Sequence, residues 1–441
     1  MDNNSSLFDK RTNMHPNHPD LRSFIEVKQH SDFPIQNLPY GAFSNSKFSI
    51  PQIGIAIGEY ILNLSALERD GIIKTSTDIF QSGTLNKFMD YTPDFWREIR
   101  EKVSQLLRHD NPILQKDFAN IGQSKYFEAQ DKVQMHLPAY IGDYTDFYSS
   151  KEHASNIGSM FRDKNNPLLP NWLHLPIGYH GRSSSIVISQ TAVTRPSGQV
   201  FVEGSDGPIV TASQRLDFEL EMAFFVGKGN RLGIPLAIEK AEDSIFGLVL
   251  LNDWSARDIQ KWEYVPLGPF ISKSFATSIS PWIVSLEALE PFRTSGPKQD
   301  PEPLDYLKNP AEKTHHNLNL EVLLKTENLT TPVCLCKTNT KYLYWSMAQQ
   351  LAHHTKTGCN LRSGDLLASG TISGADRSAY GSLVEISWGG KDPFILPNGE
   401  KRSFLLDGDE VIMRAWGEGK GYRIGFGEVR GKILPAHTTS V

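Results

Sequence analysis

The chain has 441 residues, 39% apolar and 10% aromatic, with 34 Gly and 26 Pro; this allows a sizeable core and fits many strands and turns better than a helical bundle. A net charge of -5 gives no reason to expect nucleic acid or an anionic membrane surface as partner, so an anionic substrate must meet a local basic pocket. Cys334, Cys336 and Cys359 are few and odd in number, no apolar run reaches a membrane span, and the first residues lack a signal-peptide pattern; together these favour a reducing, cytoplasmic setting over a disulfide framework.

Residues 1–22 are polar, with Pro16 and Pro19, and read as a disordered arm; ordered structure is expected from about Phe24. Residues 23–138 form a small α+β module, with strand-like runs at 48–50, 53–57 and 60–64 and helical patterns at 84–89 and 95–107. From 139 to 441 β-branched runs bounded by Gly, Pro and Ser recur at 185–189, 218–226, 245–251, 318–324, 384–388, 410–415 and 422–429, so most of this larger part should be sheet. The proline-rich stretch 293–316 reads as a surface excursion, and a helix is expected over 342–354, where Met347, Leu351 and His354 fall on one stripe. Cys334-x-Cys336 is too tight for zinc and reads as part of a strand. Gly417-x-Gly419-x-Gly421 lacks the strand-then-helix context of a phosphate loop.

The segment 215–225 sets Asp217, Glu219 and Glu221 on alternate positions of a strand whose other positions are apolar, so the three carboxylates should share a face. Anions about 6.7 Å apart repel by about 0.6 kcal/mol in water and by about 2.5 kcal/mol at an effective dielectric of 20. Exposed, the row is the solvated face of an antiparallel strand; enclosed, it needs a cation.

Other segments hold candidate partners for that row. Ile141–Asn156, followed by Phe161-Arg162, gathers Tyr148, Asp146, His153 and Arg162 within about twenty residues. The turn Leu175–Ser185 would hold Tyr179 and Arg182 on a fixed loop. The apolar strand from Ile245 ends in Asn252-Asp253, where a carboxylate either sits at a sheet rim or caps a helix, and Arg257, Gln260 and Tyr264 follow. Lys273 is a lone lysine in an apolar, proline-fixed stretch that leads to Thr277. The small-residue loop 361–374, with Thr371, either brings backbone amides to a substrate oxygen or merely turns a corner. Glu385 lies in an otherwise apolar run read as a strand, so if it is inside it must be partnered.

Taken together, these segments resemble the fumarylacetoacetate hydrolase family, most closely along Gly142–Arg182, Leu216–Val226, Asn252–Thr277 and Gly364–Glu385. The resemblance implies a mainly β, α+β protein: a small N-terminal SH3-like barrel over 23–138, a β-roll catalytic domain over 139–441, and a homodimer. It implies a divalent metal, Ca2+ or Mg2+ with Mn2+ able to replace either, on Asp146, Glu219, Glu221 and Asp253, and a structural magnesium near Asp253, Lys273 and Thr277. All-carboxylate ligation agrees with such hard ions. Asp217 has no ligand role in the family.

The implied reaction is hydrolysis of a carbon-carbon bond in a diketo acid, fumarylacetoacetate, with water activated by His153, itself oriented by Glu385. Arg257, Gln260 and Lys273 would stabilise the oxyanion. Tyr148, Arg162, Tyr179, Tyr264, Gln260 and Thr371 would bind the substrate. Relatives that decarboxylate oxaloacetate or isomerise a dienedioate generally lack the His153 and Glu385 arrangement.

Overall fold

The computed structural model describes residues 14–437 except 49 and 203. An antiparallel half-barrel comes first, in the order Phe127–Ala129, Tyr60–Asn63, Gln52–Ile57, Tyr40–Ser44, Gln134–His136, with the helix Pro93–Leu107 beside it. A mixed central sheet follows in the order Gly178–His180, Tyr144–Phe147, Leu366–Ala368, Leu220–Val226, Ile245–Asp253, Thr277–Ile279, Ile186–Ile188. A second sheet runs Val333–Asn339, Asn319–Lys325, Glu410–Glu418, Arg423–Leu434, Val193–Thr194.

The central sheet is covered on both faces, which is why its two middle strands read as near-continuous apolar runs. From Leu220–Val226, the side chains of Leu220, Met222, Phe224 and Val226 join the core shared with Val322, Met413 and Phe426 of the second sheet. Ala223 and Phe225 face the other way and pack with Ile55, Leu62, Phe88 and Trp96 of the N-terminal half-barrel. Trp96 meets Phe246 edge-on, with ring centroids 5.2 Å apart. Each such large side chain contributes roughly 1.5–3 kcal/mol of transfer free energy, so the N-terminal module and the central sheet are joined by a common apolar layer.

Four expectations change. Residues 14–22, read as part of an arm, pack against the body: Leu21 is buried, Asn17 Nδ2 donates to the Glu287 carbonyl at 2.7 Å, and Arg100 Nη2 donates to Asn17 Oδ1 at 2.7 Å. Asn17 there serves the buried Arg100, while His15, Asp20 and Arg22 stay exposed; residues 1–13 lie outside the described residues. Phe48 and Ile50 are not in a strand; they lie between the strands Tyr40–Ser44 and Gln52–Ile57. The run read as a strand at 384–388 is instead the short helix Leu383–Ile386. Its first amides, from Leu383 and Val384, donate to the Asp217 carboxylate at 2.7 and 3.0 Å, and this distant cap outweighs local β propensity. Finally, the acidic row is broken: Leu216–Asp217 pairs with Ser255–Ala256, and the main strand begins only at Leu220.

The expected helix over 342–354 forms as Met347–Thr355, delayed by a capping box of Ser346 and Gln349. Cys334 and Cys336 lie in the strand Val333–Asn339; Gly417 lies in the strand Glu410–Glu418, and Gly419 and Gly421 lie at the turn that joins it to Arg423–Leu434.

Candidate active site

Four buried carboxylates converge at one end of the central sheet. Asp146 lies beside Ala368 in a parallel pair, Glu221 is opposite Leu251, and Asp253 ends its strand opposite Thr277. Along Ile245–Asp253, Asp253 has the same parity as Leu251 and Val249, which face the N-terminal core, so strand parity aims it to that side. Glu219 sits in the break before Leu220, bridged to Ser382. One oxygen from each of Asp146, Glu219, Glu221 and Asp253 lies within 4.8 Å of the others. At that spacing and an effective dielectric of 20, each pair of anions repels by about 3–4 kcal/mol, so the group cannot stand uncompensated.

Protein cations balance only one side of it. The Lys273 ammonium contacts Glu219 and lies 2.5 Å from Asp253 Oδ2, and Arg257 Nη1 lies 2.7 Å from Glu219 Oε1. Burial pushes the Glu219 carboxyl up, but Lys273 and Arg257 outweigh it and bring it down to about 2. Thr277 Oγ1 donates to Asp253 Oδ1 at 2.7 Å, Tyr179 OH to Asp253 Oδ2 at 3.2 Å, and the Gly370 amide to Glu221 Oε2 at 3.0 Å.

The other side is left open. Asp146 Oδ1 and Glu221 Oε1 are buried without a hydrogen-bond donor among the described residues. Burial, followed by the Asp253 charge, holds Asp146 well above the usual carboxylate range; burial, followed by Asp146, does the same to Glu221. Orphaned, hard, anionic oxygens fit a divalent cation of the calcium or magnesium type.

His153 enters from the first turn of the helix Lys151–Phe161, capped by Ser150, seven residues beyond Asp146. Its Nδ1 lies 2.7 Å from Glu385 Oε2, and both side chains are buried. Glu385 is held in turn by Asn156 Nδ2 at 2.9 Å, Ser373 Oγ at 2.9 Å and Ser382 Oγ at 2.7 Å. Burial raises the Glu385 carboxyl, yet the His153 charge and these hydrogen bonds together keep it below the ordinary glutamate value. The His153 ring also packs edge-on against Tyr148, centroids 5.4 Å apart, and a charge on His153 lowers Glu219. Cage and imidazole are therefore electrostatic neighbours.

Family models match both parts of the chain: fumarylacetoacetase N-terminal over residues 36–138 and fumarylacetoacetate (FAA) hydrolase C-terminal over 143–434. The chain belongs to the fumarylacetoacetate hydrolase family. It is similar to the fumarylacetoacetase of Homo sapiens, 54% identical over 94% of this chain and 99% of that one, and to that of Caenorhabditis elegans, 54% identical over 94% and 100%. A solved structure titled fumarylacetoacetate hydrolase from psychrophilic Exiguobacterium antarcticum shares the fold at a TM-score of 0.50 and 16% identity, covering 90% of this chain and 99% of that one.

The remaining candidate residues of this family member are placed unevenly around the site. Gln260 Oε1 accepts from Arg257 Nη1 at 3.1 Å. Tyr148 is half-buried with its hydroxyl enclosed and under the Arg162 charge, while Arg162 itself ends its helix exposed and donates to the Pro167 carbonyl. Thr371 is buried between Gly370 and Ile372, whose amides bond Glu221 and the Leu220 carbonyl. Tyr264 ends the helix Arg257–Glu263, 38% exposed, and makes no side-chain hydrogen bond among the described residues. Sequence reasoning gave no role to Asn156, Ser373, Ser382 or Gly370. Only their closeness in sequence to His153, Glu385 and Thr371 could have drawn attention to them.

Proposed function

We infer that the chain is a hydrolase that cleaves the carbon-carbon bond of 4-fumarylacetoacetate, giving fumarate and acetoacetate, the last step of tyrosine and phenylalanine breakdown. The observation that carries this reading is the His153–Glu385 pair joined to the four-carboxylate cage through Ser382, whose hydroxyl bonds Glu385 and whose backbone bridges to Glu219. Glu385 accepts from Nδ1–H of His153, which fixes the ring and leaves Nε2 to take a proton from water. Arg257, Gln260 and Lys273 stabilise the oxyanion that forms when the water oxygen adds to the carbonyl. Arg162 with Tyr148, Tyr179, Tyr264 and Thr371 receives the carboxylate end of the substrate, for which a guanidinium fork is suited.

Asp146, Glu219, Glu221 and Asp253 would hold Ca2+ or Mg2+, with Mn2+ able to replace either, and the ion would supply Lewis-acid polarisation of the diketone oxygens. A structural magnesium beside Asp253 and Thr277 would have Lys273 as charge balance, since an ammonium has no lone pair to give. Only three cysteines in such a length favour a cytoplasmic enzyme, and family likeness favours a homodimer. No helix among the described residues is long and apolar enough to cross a membrane.

The test is an ultraviolet assay of diketone absorbance with fumarylacetoacetate and other acylpyruvates, before and after chelation. Loss of absorbance that stops with chelator and returns with Mg2+ or Ca2+ is expected; no loss with any diketo acid refutes the reading.

A further inference from the structure

Asp217 is the member of the acidic row that the cage leaves out, yet it is fully buried and bonded on both oxygens. Oδ2 accepts from Arg257 Nε at 2.8 Å and from the Val384 amide at 3.0 Å. Oδ1 accepts from the Leu383 amide at 2.7 Å and from the Phe218 amide at 2.8 Å. A carboxylate is the only common side chain with enough acceptor sites, on two coplanar oxygens, for four such donors.

These bonds reach both halves of the site. Leu383 and Val384 open the four-residue helix whose third residue is Glu385. A helix this short cannot satisfy its own first amides, so the position of Glu385 depends on what caps them. On the other side, gripping Nε fixes the plane of the Arg257 guanidinium. Its Nη1 then meets Glu219 Oε1 at 2.7 Å and Gln260 Oε1 at 3.1 Å, and Nη2 is left buried with no hydrogen-bond partner among the described residues. A buried guanidinium donor left open in a site for anionic chemistry is poised for an oxygen that arrives with the substrate.

We propose that Asp217 is a positioning residue for the hydrolysis: one carboxylate that sets both the aim of the Arg257 Nη2 donor and the placement of Glu385, and through Glu385 the His153 ring. The inference rests on the reading of Arg257 as an oxyanion donor and of His153 with Glu385 as the base. It explains why the acidic pattern of the strand begins one residue pair before the cage. An asparagine at 217 matches the shape but turns an NH2 either toward Arg257 Nε and the Val384 amide or toward the Leu383 and Phe218 amides, so in both rotamers the helix loses the acceptor of one amide, and in the first Arg257 loses its hold as well.

The experiment is steady-state kinetics of the metal-loaded Asp217→Asn variant, together with double variants adding Arg257→Gln or Glu385→Gln. Misplacing a catalytic group by about 1 Å costs roughly 10²-fold, so kcat should fall by roughly that factor with KM little changed and wild-type metal content. Residues acting as one unit are strongly non-additive, so each double variant should lose clearly less kcat than the product of its two single losses, the part of the Asp217→Asn loss that runs through the already removed partner being absent. Wild-type kcat in Asp217→Asn, or losses that simply multiply in the doubles, would overturn the proposal. Should Asp217→Asn not fold, Asp217→Ser leaves room for an added anion. Formate is then expected to raise its kcat toward wild type, and no recovery counts against the role. Wild-type kcat in Arg257→Gln and Glu385→Gln would instead show that the reading of those two residues has failed.

Discussion

Glu385 Oε2 and His153 Nδ1 meet at 2.7 Å across 232 residues of chain, each presented by the first turns of a helix. The bond fixes which ring nitrogen carries hydrogen and which can accept it. Glu385→Gln keeps the shape but disrupts this orientation, and kcat is expected to drop by roughly 10³- to 10⁴-fold, as when a buried carboxylate behind a catalytic imidazole is made an amide. Kinetics together with elemental analysis checks it: near-normal kcat at full metal content rejects the orienting role.

The same carboxylate predicts a pH dependence of stability. Glu385 lies below its ordinary value of 4.5 in the folded chain. A depressed acid contributes stability that is complete above the unfolded pKa and is lost as pH falls through the folded one. The gap in Tm between wild type and Glu385→Gln should therefore stay constant from neutral pH down to about 5 and close at lower pH. A gap that widens on acidification contradicts this assignment.

Asp146 and Glu221 shift the opposite way, raised by burial and by neighbouring anions. In metal-free protein the folded state therefore holds protons that an unfolded chain has released, and stability falls as pH rises from the usual carboxylate range toward the raised values. A divalent ion bound in the cage would displace those protons and restore stability, by about 2.7 kcal/mol at 100 times Kd. Calorimetry in two buffers of different ionisation enthalpy reads the proton release; equal heats in both buffers, or a Tm indifferent to the ions, would count against a metal in the cage.

Gly370 has φ of +76°, and a Cβ there would lie 2.2 Å from the Phe147 carbonyl oxygen, while its amide holds Glu221. Gly370→Ala adds left-handed strain of about 1–2 kcal/mol to a backbone clash and draws the amide away from the cage. Chemical denaturation should register a loss of at least that size, and a metal titration should show weaker affinity. Unchanged values in both would mean the loop moves without consequence.

How much of this was legible before the structure depended on where each signal resides. The strands at Leu220–Val226 and Ile245–Asp253 show in their apolar runs because both faces are covered by the same chain. The strand Tyr144–Phe147 does not: Thr145 pairs with His354 and Asp146 faces the cage, so Asp146 shows only as one acid in a mixed segment. The helix under Glu385 is set by Asp217, 166 residues earlier, a contact no local pattern can report. Likewise the break after Asp217 is invisible in an alternating sequence that is consistent with one straight strand. The identity of the four cage carboxylates came through family resemblance, since their meeting depends on the parallel pairing of Asp146 with Ala368 and not on spacing.

The most direct measurement is kcat of His153→Ala on fumarylacetoacetate, made on protein whose metal stoichiometry equals wild type. The imidazole is held by Glu385 and lies next to the cage, so turnover should fall by at least roughly 10³-fold while the ion and the fold remain. Wild-type turnover by that variant would contradict the account at its centre.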